Sequence, residues 1–201
     1  MMFRRFVLLL SLFIFAATCE AKYKKLVPIP EPYNAVCCIW VGDDGGSGTL
    51  IAVNGDTGLV LTARHVVLRT GRLCKCIWGD KECEGRVIAV SRETDAALVV
   101  IKDPPNIKPA RFAPCRRENG PFIAVGYPYY SRDWPRLHTC RFIRLTYSKL
   151  IVDVKPEHGS SGGGVFDCHG CVVATVWRYH EKNGEHASGQ ALETFVRKYL
   201  R

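Results

Sequence analysis

The chain of 201 residues lacks most features of helical and membrane proteins. Beyond its N-terminal segment it contains no long hydrophobic run, which argues against further membrane spans. It has almost no apolar periodicity of the helical kind and no internal repeat, which argues against helical bundles and solenoids. Acidic residues are scarcer than basic ones, 19 against 28, and the formal net charge is +9.

The one long apolar run lies at the N-terminus. Arg4 and Arg5 precede the hydrophobic residues 7–17, and Cys19-Glu20-Ala21 places small residues before a cut after Ala21. This pattern is typical of a secretory signal peptide, and the run is short for a spanning helix. We expect residues 1–21 to be removed and the protein to be secreted or periplasmic, with no stable membrane insertion. An uncleaved anchor and lipidation at Cys19 are the less favoured alternatives.

The basic residues are scattered along the chain. Only short clusters occur, at residues 22–25 and at Arg116-Arg117. In an exported protein this distribution favours a solvated surface over a nucleic-acid site. We therefore expect no nucleic-acid partner.

Nine of the ten cysteines follow the predicted cleavage site. In an oxidising compartment they favour disulfides, whose pairing the sequence cannot give, and an odd number leaves at least one thiol without an intrachain partner. The spacings Cys74-x-Cys76 with Cys83, and Cys168-His169-Gly170-Cys171, also resemble zinc-ligand clusters. The first lacks a convincing fourth ligand and the second lies on a predicted hairpin tip. We favour disulfides and expect no metal and no cofactor.

From residue 36 onward the chain consists of short β-branched and aromatic runs separated by turn residues. About ten such runs, with turn sequences at 54–58 and 167–170, predict an all-β protein of antiparallel barrels or a sandwich. The Lys- and Pro-rich residues 22–35 predict an extended arm, and residues 104–114 a link between two halves. Apolar residues on one face of 190–200 predict a single helix.

Three separated segments carry candidate catalytic side chains. Residues 159–163, Gly-Ser-Ser-Gly-Gly, place a hydroxyl in a glycine-flanked turn, where a serine needs a neighbouring base to become a nucleophile. His65 follows a strand-like run, and imidazole suits proton transfer near neutral pH. Asp95 opens an apolar run, where a partly buried carboxylate needs a partner such as an imidazole N–H. Taken singly, each residue is also typical of a loop serine, a core histidine or a turn aspartate.

Five segments together resemble the trypsin-like serine peptidases, and most closely the HtrA/DegP-like branch. In chain order they are Gly46-Ser47-Gly48-Thr49-Leu50-Ile51, Leu61-Thr62-Ala63-Arg64-His65-Val66-Val67, Thr94-Asp95-Ala96-Ala97-Leu98, Ala124-Val125-Gly126-Tyr127-Pro128 and Gly159-Ser160-Ser161-Gly162-Gly163. The resemblance covers about residues 45–180. It implies two antiparallel six-stranded β-barrels, chymotrypsin-like, followed by a short C-terminal helix. Residues 36–110 would form the first barrel, and residues 111–201 the second barrel and the helix.

The resemblance also implies roles for individual residues. His65, Asp95 and Ser161 would form the catalytic triad, and the backbone N–H groups of Gly159 and Ser161 the oxyanion hole. The substrate pocket would include His158, Val176, Trp177 and Arg178. Basic residues near it, including Lys155 and His180, suggest an acidic cleavage site, although exposed loop charges are the favoured interpretation.

These features predict an exported serine endopeptidase that cleaves a polypeptide through an acyl-enzyme intermediate. The alternative is a catalytically inactive protease-fold module that binds peptides. Two departures from the family are informative. Ser160 stands where digestive members carry the aspartate used in zymogen activation, so we expect no such switch. The chain shows no PDZ domain after the protease segment. The sequence leaves the substrate and the oligomeric state open.

Overall fold

The computed structural model describes residues 29–117, 120–131, 134–180 and 183–200. The predicted signal peptide and the first part of the predicted arm lie outside these ranges. The end of the arm is not extended as predicted. Tyr33–Ala35 forms a 3-10 turn, and the Tyr33 ring packs edge-on against Phe166 at 5.2 Å between centroids.

The first half of the chain forms a closed barrel of six antiparallel strands in the order β1-β2-β3-β6-β5-β4. Its strands combine β-branched residues with glycines, and their inward apolar side chains fill the barrel. A short helix, α1 (Arg64–Val67), follows β3 directly. The strands are β1 (Val36–Val41), β2 (Asp44–Asn54), β3 (Thr57–Thr62), β4 (Leu73–Trp78), β5 (Lys81–Val90) and β6 (Ala97–Lys102).

The second half is a seven-stranded sheet in the order β8-β7-β11-β12-β13-β10-β9. Its two edge strands, β8 and β9, are consecutive in the chain and are separated only by Arg141. The sheet therefore curls so that its two edges are formed by one stretch of chain bent at Arg141. If β8 and β9 are counted as one bent strand, the second half has the six strands that were predicted. The strands are β7 (Phe122–Gly126), β8 (Arg136–Cys140), β9 (Phe142–Leu145), β10 (Lys149–Val152), β11 (Gly164–Phe166), β12 (Val172–His180) and β13 (Asn183–Ala187).

Asp153 fixes the bend between β8 and β9. Its carboxylate accepts the backbone N–H of Arg141 at 2.6 Å and the guanidinium Nε–H at 2.7 Å. These bonds hold the pKa of Asp153 below its ordinary value, with the Arg141 backbone N–H as the largest contribution.

A C-terminal helix, α2 (Gly189–Arg197), follows β13. It ends three residues earlier than the predicted 190–200. Its buried residues Leu192, Phe195 and Val196 belong to the same apolar cluster as the first barrel, so α2 packs back onto that barrel. Among the described residues, no helix is long and apolar enough to cross a membrane.

The all-β, chymotrypsin-like class with a C-terminal helix is confirmed. The sequence did not predict β4, β8 or β13. The residues of β13, Asn-Gly-Glu-His-Ala, are weak strand formers, and they are extended because β10 and β12 pair with them on both sides. The boundary predicted at residue 110 stays a prediction, since the structure shows only that β6 ends at Lys102 and β7 begins at Phe122.

Candidate active site

His65 lies on α1, immediately after β3 leaves the barrel. Val66 and Val67 on this helix are buried, which fixes its orientation and leaves His65 half-exposed at the surface. The neighbouring strand β6 pairs with β3 so that Thr62 lies opposite Ala97. This register brings Asp95, two residues before Ala97, close to His65.

Asp95 binds His65 through both carboxylate oxygens. Oδ2 lies 2.5 Å from the ring Nδ1, and Oδ1 accepts the backbone N–H of His65 at 3.0 Å. The Asp95 side chain is only 4% exposed, whereas that of His65 is 45% exposed. The Nδ1–H of the ring therefore donates to the carboxylate, which leaves Nε2 as the nitrogen that can accept a proton.

Arg64 places a second positive charge beside the same carboxylate. Its Nε lies 3.9 Å from Asp95 Oδ1, and its Nη1–H donates to the carbonyl of Ser91 at 3.3 Å. Arg64 thus braces the loop that carries Asp95. Because Arg64 is itself half-exposed, solvent screens much of this attraction.

Ser161 lies in a tight turn between β10 and β11. Gly159 and Gly162 both have φ of +89°, a conformation that side chains rarely adopt. The Gly162 N–H donates to the carbonyl of Val176 at 2.8 Å, and the Val176 N–H returns a bond to Gly163 at 2.8 Å. The glycines shape the turn and β12 holds it.

The same turn packs against the first barrel. The carbonyl oxygen of Ser161 accepts the backbone N–H of Ser47 at 2.7 Å. A Cβ added to Gly46 would lie 2.7 Å from that oxygen and 2.7 Å from Cγ2 of Val66, the residue after His65. The structure thus brings the segments of His65, Asp95 and Ser161 to one boundary between the two halves of the molecule.

Gly159, a predicted oxyanion donor, is held through the carbonyls on either side of it. The His158 carbonyl accepts the N–H of Tyr129 at 2.7 Å, and the Gly159 carbonyl accepts the hydroxyl of Ser47 at 2.9 Å. Among the described residues, the structure records no acceptor for the Gly159 N–H. Ser47 was part of a predicted motif but had no predicted role, and only its two flanking glycines marked it in the sequence.

The predicted pocket residues that the structure describes have different surroundings. His158 is exposed, and its ring lies edge-on to Tyr130 at 5.3 Å. Val176 is buried beneath the turn. The Arg178 Nε–H donates to Glu185 at 2.9 Å, which compensates its charge, and for Trp177 the structure describes only a place in β12.

A cavity of about 10 Å³ lies behind the turn that carries Ser161. The Oγ of Ser160 and the Nε2 of His138 are both buried, and neither has a hydrogen-bond partner among the described residues. Both residues line this cavity together with apolar groups such as Val176 and Pro156. His138 was not a predicted site residue, because the sequence did not predict the strand β8 on which it lies.

The nine cysteines of the described chain are all thiols, and only Cys168 is exposed. Burial raises the pKa of Cys115 and of Cys140 to about 11, so these two thiols are unreactive at neutral pH. Cys76 and Cys83 lie directly opposite each other on β4 and β5. Within the described ranges, no group of three or more His, Cys, Asp or Glu residues is arranged to hold a metal ion.

Comparisons with known proteins agree with this architecture. The inactive form of the Rv3671c protease superposes with a TM-score of 0.68 at 21% identity, over 87% of this chain and all of that one. The active form of the same M. tuberculosis protease gives 0.68 at 21% identity, over 89% and 92% of the two chains. The serine endoprotease of Yersinia pestis gives 0.66 at 21% identity, over 86% and 68%. At this identity the three structures are similar in fold.

No curated protein matches the chain. The family model of the trypsin-like peptidase domain, however, matches residues 46–174. The match spans the segments of His65, Asp95 and Ser161 and covers more than half of the chain, which confirms the predicted resemblance. The protein is a member of the trypsin-like peptidase domain family.

Proposed function

We propose that the protein is an exported serine endopeptidase that cleaves polypeptides through an acyl-enzyme intermediate. One observation carries this proposal above all. A buried carboxylate, Asp95, holds both the ring and the backbone N–H of His65, beside a glycine turn that supplies Ser161 from the other half of the molecule.

The proposed reaction begins when the Ser161 hydroxyl attacks the scissile carbonyl while His65 accepts its proton. Asp95 orients the ring and stabilises the imidazolium that forms. The backbone N–H groups of Gly159 and Ser161 stabilise the oxyanion. His65 then gives its proton to the leaving amine. In the second half of the reaction His65 takes a proton from a water molecule, which attacks the acyl-enzyme, and returns that proton to the leaving Ser161 oxygen.

The substrate pocket is proposed to include His158, Val176, Trp177 and Arg178. Arg178 and Lys149 both bind the carboxylate of Glu185, at 2.9 and 3.1 Å. This ion-paired arrangement supports the interpretation of the nearby basic residues as surface charges rather than as an acid-binding pocket. A peptide library with acidic, basic and aliphatic residues at the cleavage position tests it. We expect no strong preference for acidic residues, and their selective cleavage would contradict this view.

Export and disulfide formation belong to the same proposal. Side-chain contacts join Cys37 to Cys76 and Cys76 to Cys74 inside the first barrel, close to Cys83. On export, a thiol–disulfide oxidant would convert one such pair of thiols to a disulfide. The oxidant would itself be reduced by the two electrons and two protons that the pair gives up. Sequencing the N-terminus of the secreted protein tests cleavage after Ala21. Counting thiols before and after reduction tests the disulfide, and nine thiols in the exported protein would exclude it.

A fluorophosphonate probe tests the nucleophile directly. The wild-type protein is expected to be labelled, Ser161→Ala is expected to remain unlabelled, and Ser160→Ala serves as the matched control because it removes the neighbouring hydroxyl only. Labelling that persists in Ser161→Ala would reject this nucleophile. A folded wild type that takes no label would favour the inactive peptide-binding module.

A further inference from the structure

Every polar group of Ser47 forms a hydrogen bond with an element that builds the candidate site. Its N–H donates to the Ser161 carbonyl at 2.7 Å, and its own carbonyl accepts the Thr62 hydroxyl at 2.7 Å. Its hydroxyl donates to the Gly159 carbonyl at 2.9 Å and accepts the Tyr127 N–H at 2.8 Å. The residue is completely buried. A buried hydroxyl with both a donor and an acceptor bond has one fixed orientation.

A hydroxyl with a fixed orientation can hold the backbone of its neighbour Gly159 in place. A glycine with positive φ has little steric resistance to rotation of the peptide groups on either side of it. In a planar trans peptide the N–H of Gly159 points opposite to the carbonyl of His158. If that peptide turned over, a carbonyl oxygen would replace the N–H that faces the developing oxyanion.

Two hydrogen bonds hold the backbone at Gly159, one on each of the two peptides that meet there. The bond to the His158 carbonyl opposes the rotation of the His158–Gly159 peptide directly, and the bond to the Gly159 carbonyl fixes the following peptide, against which Gly159 would have to turn. The Tyr129 N–H holds the His158 carbonyl, and the Ser47 hydroxyl holds the Gly159 carbonyl. The first bond comes from the second half of the molecule, beside the turn itself. The second is the one that comes from the first barrel.

Ser47 is well anchored for this task. It lies on β2 opposite Cys38 of β1, inside a closed sheet. Its flanking glycines are crowded, since a Cβ at Gly46 would meet the Ser161 carbonyl and one at Gly48 would meet Ile39 at 2.6 Å. The absence of a side chain at Gly46 lets β2 approach the turn closely enough for the Ser47 hydroxyl to reach Gly159, and its absence at Gly48 leaves room for Ile39 inside the barrel.

We propose that Ser47 is a positioning residue that fixes the oxyanion donors of this enzyme, acting through Gly159 without touching the substrate. The inference rests on the proposed function. It assigns a separate role to the hydroxyl of the Gly46-Ser47-Gly48 segment, namely control of the peptide orientation at Gly159.

The test compares Ser47→Ala with wild type by the rate of fluorophosphonate labelling, because the phosphoryl oxygen of that probe occupies the same position as the oxyanion. Loss of one direct oxyanion donor slows acyl transfer by about 100- to 1000-fold, so loss of its support is expected to slow labelling at least about 10-fold. The midpoint of the pH–rate profile, which reports His65, is expected to stay unchanged. A general disturbance of the site would change both the labelling rate and the midpoint of the pH–rate profile.

Two further variants keep the test decisive. Thr49→Val removes another buried hydroxyl from β2, one without a hydrogen-bond partner among the described residues, and is expected to label at the wild-type rate. Ser47→Cys keeps the side chain's size but weakens its hydrogen bonds, and it replaces Ser47→Ala if the latter does not fold. It should also label more slowly than wild type. Labelling of folded Ser47→Ala or Ser47→Cys within twofold of wild type overturns the inference, whereas a folded wild type without label counts against the proposed function instead.

Discussion

The imidazole Nδ1 of His65 lies 2.5 Å from Oδ2 of Asp95, while Oδ1 of the same carboxylate accepts the backbone N–H of His65. The two bonds differ in what they fix. The backbone bond holds α1 against the loop before β6, and the ring bond sets the rotation of the imidazole. A substitution that keeps only the oxygen bonded to the backbone N–H therefore affects the ring without freeing the helix.

Asp95→Asn separates these two effects. The amide oxygen can still accept the His65 backbone N–H, but its NH₂ group then faces Nδ1 and favours the wrong tautomer of the ring. Loss of the carboxylate from such a triad lowers the rate by about 10⁴-fold. We expect a loss of this order in the fluorophosphonate labelling rate. Asp153→Asn, which alters a surface pair with Arg141, is the control and should label normally. A loss below tenfold in Asp95→Asn would contradict the assigned role.

Gly162→Ala should disrupt the turn that carries Ser161. The new methyl group would overlap the Ser47 carbonyl oxygen and the Thr62 hydroxyl, at a residue with φ of +89°. Overpacking and backbone strain together should lower the free energy of unfolding by about 3 kcal/mol or more. Gly42→Ala is the matched control, because Gly42 has φ of +69° but no atom within 4 Å of an added Cβ. It should cost only about 1 kcal/mol. Urea unfolding measures both, and equal losses would show that crowding is not the cause.

Ser160→Ala is expected to leave the fold intact or to stabilise it. The Ser160 hydroxyl is buried without a partner among the described residues, so its removal relieves an unsatisfied group and should raise the free energy of unfolding by up to about 1 kcal/mol. Ser188→Ala provides the contrast, because the Ser188 hydroxyl donates to the Val173 carbonyl at 2.8 Å. That change should cost about 1 kcal/mol. A loss of similar size in Ser160→Ala would indicate that a water molecule bonds to this hydroxyl inside the cavity.

His186 should make the fold sensitive to acid. Complete burial lowers its pKa from 6.5 to about 4, and the nearby Glu185 offsets this only in part. Because the unfolded chain binds this proton more readily, stability is full above pH 6.5 and falls as the pH drops towards 4. The loss should reach about 3 kcal/mol.

Urea unfolding between pH 7 and pH 4 measures this dependence. His186→Phe removes the titrating ring and should flatten the curve in that window. His169→Gln changes an exposed histidine and should leave the curve unchanged. The same slope in wild type and His186→Phe would rule out His186 as its source.

The candidate catalytic residues were predictable because each sits in a short segment whose neighbours determine its setting. Buried valines follow His65, an apolar strand follows Asp95, and glycines flank Ser161. The contact between the Ser47 hydroxyl and the Gly159 carbonyl was not predictable. It joins residues 112 positions apart, and it depends on how two sheets meet rather than on any local pattern.

The pocket was harder to predict for a related reason. The charge of Arg178 depends on its pairing with Glu185, which requires the register between β12 and β13. Because β13 itself has weak strand propensity, neither the strand nor the ion pair could be predicted. The unpartnered atoms of Ser160 and His138 likewise come together only because β7, β8 and β12 surround one cavity.

The packing of α2 on the first barrel has a consequence for the order of events during synthesis. Strand β12, which bonds to the turn that carries Ser161, and α2, which packs on the first barrel, both follow Ser161 in the chain, whereas the barrel that carries His65 and Asp95 precedes it. During synthesis the barrel that carries His65 and Asp95 is therefore made before the elements that hold the turn of Ser161. Under the proposed function, the three catalytic side chains come together only when the two halves have closed on each other, so a partly made chain would lack a complete catalytic site.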